Sequence, residues 1–311
     1  MAPSVLTAPA RLLFVFLDGV GIGPADAEVN PFVAAAGRLP TLTALMGGRA
    51  PTLDDPRVVG PHGQAFPLSA TLDMEGTPQS GTGQVALLTG ESAAEMFGRH
   101  FGPWTPVSLR PLVEERGVLR AARDRGLAVS FANAYPRTWP GPRGGLRIAG
   151  PPLAARGAGV LNLHEEALAN GTAVASEIVN DGWIERLGHA EVPRITAEAA
   201  GANLARISHS ADLTLFAHYS TDTAGHDEDV ATAIDSLVRV DSFLKGLCSE
   251  LSADTLMLVA SDHGNLEDAR GGHTRNPVLG IAAGPGAEAA SRLSDIREVA
   301  PFILGLLGSA A

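Results

Sequence analysis

The run Leu12-Leu13-Phe14-Val15-Phe16-Leu17, which ends on Asp18-Gly19-Val20-Gly21-Ile22-Gly23-Pro24, decides the fold. Consecutive apolar residues of strand length, with no polar alternation, read as a strand covered on both faces, the pattern of a parallel sheet between helix layers. The run stops at Asp18, and a carboxylate at the C-terminal end of such a strand points into the crevice where open α/β sheets hold ligands. A dinucleotide loop fits poorly: the glycines are spaced G-x-G-x-G, Pro24 follows at once, and Asp18 would repel a pyrophosphate. An aspartate that only caps a turn is an equal alternative at this point.

Outward from this strand the same rhythm repeats. Short apolar runs at 128–132, 213–217 and 255–260 predict further strands, and helical patterns cover 84–89, 108–125, 196–208, 229–251 and 295–307. Alternation of this kind predicts an α/β fold with a mostly parallel central sheet and helices on both faces, in one domain over 1–311. Residues 47–79, rich in Pro, Gly and Asp, predict a loop with a hairpin around Phe66 to Met74. Pro136, Pro140, Pro142, Pro151 and Pro152 argue against a regular helix or central strand over 136–160. Residues 136–195 therefore read as a small cap-like insertion, and no internal repeat of solenoid type is visible.

Composition excludes several function classes. With 23 Lys+Arg against 34 Asp+Glu, the net charge is -11, so a nucleic-acid partner is not expected. An acidic protein can still bind an anionic substrate if cations supply local positive charge. Cys248 is the single cysteine, so no intrachain disulfide can form. The absence of a signal peptide pattern in the first residues, or of an apolar run near the roughly 18 residues of a membrane span, leads to the expectation of a cytoplasmic protein without a membrane partner. Oligomeric state leaves no trace.

Four further constellations carry chemistry. Thr77-Pro-Gln-Ser80-Gly-Thr82-Gly83-Gln-Val-Ala-Leu-Leu-Thr-Gly90 places hydroxyls in a glycine-rich turn that enters a helix, a setting suited to a phosphate or to a metal-activated nucleophile. Taken alone, Ser80 or Thr82 as a helix N-cap is the more economical reading. Ser220-Thr-Asp222-Thr-Ala-Gly-His226 sets a carboxylate and an imidazole one helical turn apart. Ser261-Asp262-His263-Gly-Asn265 ends another strand, and Gly272-His273-Thr-Arg275-Asn-Pro277 adds a third histidine. Asp18, Asp222, Asp262 and His263 all follow strand ends, and such a group is costly to bury together unless cations lie between its members. Three Asp, three His and a hydroxyl suffice for two adjacent ions and in-line phosphoryl displacement. His164-Glu165-Glu166 is not a zincin motif, because Leu168 stands where the second histidine would be.

In this order and over residues 14 to 277, these segments resemble the alkaline phosphatase superfamily of metalloenzymes, and within it the branch of cofactor-independent phosphoglycerate mutase and phosphopentomutase. The resemblance implies two divalent metal ions, manganese or zinc. It implies Asp222, His226 and His273 as ligands of one, and Asp18, Asp262, His263 and Ser80 as ligands of the other, with Ser80 as nucleophile and Thr82 as the alternative. The implied reaction passes through a phosphoserine on a small phosphorylated substrate. Two features differ from the mutases: the candidate cap is small, and Gln84 stands where mutases carry a histidine. Both favour a phosphoester hydrolase over a phosphomutase, with a non-catalytic metal-binding protein as a third possibility. A sulfatase is disfavoured because no Cys/Ser-x-Pro-x-Arg motif surrounds Ser80. Arg99, Arg137, Arg143, Arg147 and Arg275 are candidate anion contacts.

Overall fold

The computed structural model describes residues 9–141 and 144–308. Seven strands form one sheet: β1 (Arg11–Leu17), β2 (Val58–Val59), β3 (Gln64–Leu68), β4 (Val129–Phe131), β5 (Leu213–His218), β6 (Thr255–Ala260) and β7 (Val278–Ala283), in the order β2-β3-β7-β6-β1-β5-β4. The apolar run that opens the chain is the centre of this sheet. β1 lies between β5 and β6, parallel to both, with Leu17 opposite His218 and Phe16 opposite Ala260. That register brings Asp18, the start of the 220–226 segment and Asp262 to one edge.

Successive residues of β1 face opposite layers. Leu12, Phe14 and Phe16 pack in a core with Val85, Leu88, Val299 and Ile303. Leu13, Val15 and Leu17 pack in the other with Leu204, Leu237, Phe243 and Leu247. Helices Ser80–Thr89 and Val299–Gly308 thus cover one face, and Ala197–Ser208 and Val230–Glu250 the other. Each fully buried Phe or Leu contributes about 1.5–3 kcal/mol over its exposed state, so a strand buried on both faces is a strong organiser.

Several expectations are corrected. The mostly parallel sheet holds in part: β6, β1, β5 and β4 pair parallel, while the pairs β6–β7, β7–β3 and β3–β2 are antiparallel. The hairpin lies over 58–68, where Gly60-Pro61-His62-Gly63 makes the turn, and not around 66–74. Pro67 is tolerated in β3 because β2 pairs only as far as Ala65, which leaves that side of β3 without a partner strand. The helix expected over 108–125 is broken at Gly117, which is extended (ψ 149°) between Arg110–Arg116 and Val118–Asp124. Pro151 and Pro152 do not prevent a helix: they occupy the first turn of Gly150–Gly157, where a missing N–H is harmless.

Residues 136–195 divide between two environments. Leu153, Ala154 and Ala155 join the main core. Leu168, Ala173, Ala175, Trp183 and Val192 form a small core of their own with Ala134. Among the described residues no helix is long and apolar enough to cross a membrane.

Candidate metal centre and nucleophile

Asp18 leaves β1 with its backbone held on both sides: its amide donates to the His218 carbonyl (3.0 Å), and its carbonyl accepts from the Thr221 hydroxyl (2.6 Å). Its Oδ2 accepts from Gln84 Nε2 at 3.1 Å, while Oδ1 is buried without a hydrogen-bond donor, 3.2 Å from His263 Nε2. Asp262 is fully buried as well; its Oδ1 takes a long bond from the Gly19 amide (3.4 Å) and its Oδ2 has no donor.

Ser80 is the first residue of its helix, with Gln79 at the N-cap, so its hydroxyl is not the cap. The hydroxyl lies 2.9 Å from His263 Nε2. Gly83 allows this approach, because a Cβ there would overlap the Asp262 backbone carbonyl. Thr82 points elsewhere: its Oγ1 accepts from the Phe101 amide at 3.2 Å and braces the 79–101 loop.

Asp222 and His226 occupy the short helix Ser220–His226 after β5, one turn apart. Asp222 Oδ2 is 3.4 Å from His226 Nε2, and Oδ1 is 3.5 Å from His273 Nε2 and 3.8 Å from His263 Nε2. His226 and His273 face each other through their Nε2 atoms at 3.2 Å, and the rings of His263 and His273 stack with centroids 3.9 Å apart. His273 Nδ1 lies 3.0 Å from the Pro78 carbonyl, which can only accept. That nitrogen therefore carries the proton, and Nε2 turns a lone pair into the cluster, the arrangement of a metal-binding imidazole.

Two groups of ligand atoms result, each within 4.8 Å of one another: Asp222, His226 and His273, and Asp18, Asp222 and His263. Asp222 belongs to both, where the sequence reading gave it to one. Ser80 adjoins the second group through His263, and Asp262 lies deeper, its Oδ1 3.9 Å from His263 Nε2. Burial and the Asp222 charge push the Asp18 carboxyl well above the usual range, and burial and the Asp18 charge do the same to Asp262. Burial acts upward on Asp222 too, but with His273 and His263 in their protonated forms the His273 hydrogen bond and the His263 charge outweigh it and hold Asp222 at about 2. Among the described residues no Lys or Arg pairs with any of these carboxylates. Orphaned buried carboxylate oxygens facing imidazole lone pairs fit divalent cations, which would supply the missing countercharge.

Sequence reasoning gave no role to the residue that ties these loops together. Glu267, fully buried, accepts from the Gly21 amide (2.9 Å), the Asn265 amide (2.8 Å), the Thr274 hydroxyl (2.5 Å) and Asn276 Nδ2 (3.1 Å). Its position after Ser261-Asp-His-Gly-Asn-Leu was the available signal, but only long-range contacts reveal its partners. Gln84 is a second: its Oε1 accepts from the Gly150 amide (2.8 Å), so it links Asp18 to helix Gly150–Gly157. Of the arginines singled out from sequence, Arg147 lines the cavity of about 370 Å³ that opens onto Asp18, Ser80 and Asp222. Arg137 pairs with Glu165 and Glu166, Arg275 donates to the Gly76 carbonyl, and Arg99 lies over the Phe97 ring. Arg143 lies outside the described residues.

Residues 189–309 match the family described as the Metalloenzyme superfamily, a segment that holds five of the seven candidate ligands. Over 120 residues the chain is 32% identical to a 2,3-bisphosphoglycerate-independent phosphoglycerate mutase of Roseobacter denitrificans, a match that covers 36% of this chain and 24% of that protein. The chain thus spans about a quarter of the length of the curated relative it matches. In fold it is similar to the PH0037 protein of Pyrococcus horikoshii (TM-score 0.59, 12% identity, 97% of this chain and 98% of that one). It is also similar to the alkaline phosphatase of the Antarctic bacterium TAB5 (TM-score 0.53, 12% identity, 97% and 99%). By fold, then, this chain is similar to alkaline phosphatases, and its segment 189–309 matches the Metalloenzyme superfamily and is similar to part of a phosphoglycerate mutase.

Proposed function

We propose that the protein is a two-metal phosphoester hydrolase that acts on a small phosphorylated metabolite through a phosphoserine at Ser80. The observation that carries this reading is the Ser80 hydroxyl, 2.9 Å from His263 Nε2, at the start of a helix and beside two ligand groups that share Asp222. Zinc or manganese, when bound, supplies positive charge that acidifies a neighbouring hydroxyl and offsets the charge of a phosphoryl group. Asp18, Asp222, Asp262, His226, His263 and His273 are the residues that would hold the ions.

The chain's own part is positional. Ser80 Oγ bonds to phosphorus, the ester P–O bond breaks in line with the attack, and the hydroxyl proton ends on the departing alcohol. Water then cleaves the phosphoserine, which restores Ser80 and releases inorganic phosphate. The positive end of the helix dipole favours the charge gathered at Ser80. Gln84, fixed between Asp18 and Gly150, keeps the Asp18 carboxylate aimed.

The identity with a phosphoglycerate mutase favours a second reading, in which the phosphoryl group returns to a reoriented substrate. One experiment separates them. Metal-loaded protein is incubated with phosphoesters, quenched in acid and analysed for phosphate at Ser80 by mass spectrometry, with free phosphate measured in parallel. Phosphoserine with free phosphate supports hydrolysis, and phosphoserine with isomerised ester supports the mutase. Bound metal without phosphoserine from any ester counts against both.

A further inference from the structure

The cavity beside Ser80 is aromatic out of proportion to the chain. The protein has 2 Tyr and 3 Trp, and both tyrosines and two of the tryptophans, Trp104, Tyr135, Trp139 and Tyr219, line this one space with Pro103 and Pro152. They come from three distant parts of the sequence, so no local pattern accounts for their meeting. Their rings are held from behind. Tyr135 stacks on Phe131 at 6.0 Å and meets Trp139 edge-on at 5.0 Å, and Tyr219 meets Phe16 edge-on at 6.1 Å. Trp104 stands at the mouth, 39% exposed. The Tyr219 hydroxyl is buried without a well-aligned partner, although the Tyr135 hydroxyl is close enough to affect its ionisation.

The polar side of the cavity is sparse. Beyond the metal-centre residues, Gln84 and the two tyrosine hydroxyls it offers Thr223 and one cation, Arg147, which has no ion-pair partner among the described residues. An acyclic polyol, with no planar face to set against these walls, would lose water here and find few replacement partners. A flat ring would find preorganised faces at little entropic cost.

We infer that this site takes phosphate monoesters of ring-bearing, aromatic alcohols: the phosphoryl group sits at Ser80, and the ring lies among Trp104, Tyr135 and Trp139. This rests on the hydrolase reading for the phosphoryl end and on the aromatic walls for the ring. Simple aryl alcohols and nucleosides share the required planar ring.

The test holds leaving-group chemistry nearly constant. Benzyl phosphate and glycerol 1-phosphate both release alkanols, so a difference in kcat/KM reads the pocket. Metal-loaded protein should favour benzyl phosphate by about tenfold or more, and Trp139→Ala should reduce that preference about three- to tenfold, mainly through KM. Trp104→Ala, at an exposed position, should act in the same direction and guards against a folding defect in the first variant. A nucleoside 5′-monophosphate assigns the ring: preference over benzyl phosphate identifies nucleosides, and the reverse identifies simple aryl alcohols. Independently of turnover, benzylphosphonate should quench tryptophan fluorescence at lower concentration than methylphosphonate. Equal kcat/KM for the two esters, or equal binding of the two phosphonates, overturns the inference. If neither ester is cleaved while benzylphosphonate still binds preferentially, the hydrolase reading fails and the aromatic subsite stands.

Discussion

The Glu267 carboxylate rests against the backbone of Gly21, its Oε2 2.9 Å from that amide, and a Cβ at Gly21 would overlap the carboxyl group. Through this contact the loop after β1 is joined to the loops that carry Asp262 and His263 and, by Thr274 and Asn276, to the one that carries His273. Gly21→Ala should therefore displace Glu267 and lower stability by about 2 kcal/mol or more, since a charged acceptor loses its donors. Glu267→Gln turns an amide N–H₂ toward backbone donors or toward the Thr274 hydroxyl and Asn276, and should weaken metal binding as well. Chemical denaturation and zinc titration measure the two effects; unchanged metal affinity in both variants would show that Glu267 does not position the ligands.

Ser80 and Thr82 separate by substitution. Ser80→Ala should lower phosphoryl transfer by several orders of magnitude while the remaining ligands keep the fold and most metal affinity. Thr82→Ala removes the brace between Gln79 and Phe101 and should cost about 1 kcal/mol of stability, with turnover largely retained. A dead Thr82→Ala beside an active Ser80→Ala would move the nucleophile by two residues.

Metal binding should be two-fold and uneven. His273 contributes to the group with Asp222 and His226, so His273→Ala should weaken one of two zinc or manganese sites at least tenfold and leave the other near its original affinity, allowing for the ligand Asp222 that the groups share. Elemental analysis and calorimetric titration read the stoichiometry. Chelation should lower the melting temperature, because cations that bind only the folded chain stabilise it.

His218 gives a pH dependence of definite sign. Burial holds its imidazole down at about 4, with the Ser176 carbonyl 2.7 Å from Nδ1 and Nε2 without a partner. Between about pH 6.5 and 4 the unfolded chain binds a proton at this residue that the folded chain does not, so stability falls as pH falls through that window. The loss amounts to about 3 kcal/mol at its acid end. Asn at this position keeps a donor toward Ser176 and does not titrate. Urea unfolding of the wild type and His218→Asn at neutral pH and near pH 4 should show a smaller acid loss in the variant; the carboxylates of the metal centre titrate in both and cancel in the comparison. Equal losses would contradict a neutral buried His218.

The parts of this protein that are local in origin were legible in its sequence. An unbroken apolar run specifies a strand buried on both faces, and the polar residues that end it must emerge at the sheet edge, so the strands bearing Asp18, Asp222 and Asp262 could be read before their neighbours were known. Tertiary structure alone decided the rest. β7 has a small, glycine-containing sequence whose strand character comes from pairing with β3 and β6, and the antiparallel half of the sheet follows from that pairing. Asp222 joins both ligand groups because the loop after β6 folds back to stack His273 on His263, which leaves one Asp222 oxygen near both imidazoles. Glu267, Gln84 and the aromatic walls take their roles from partners tens to hundreds of residues away, and periodicity within one segment carries no information about which segments the packed core will bring into contact.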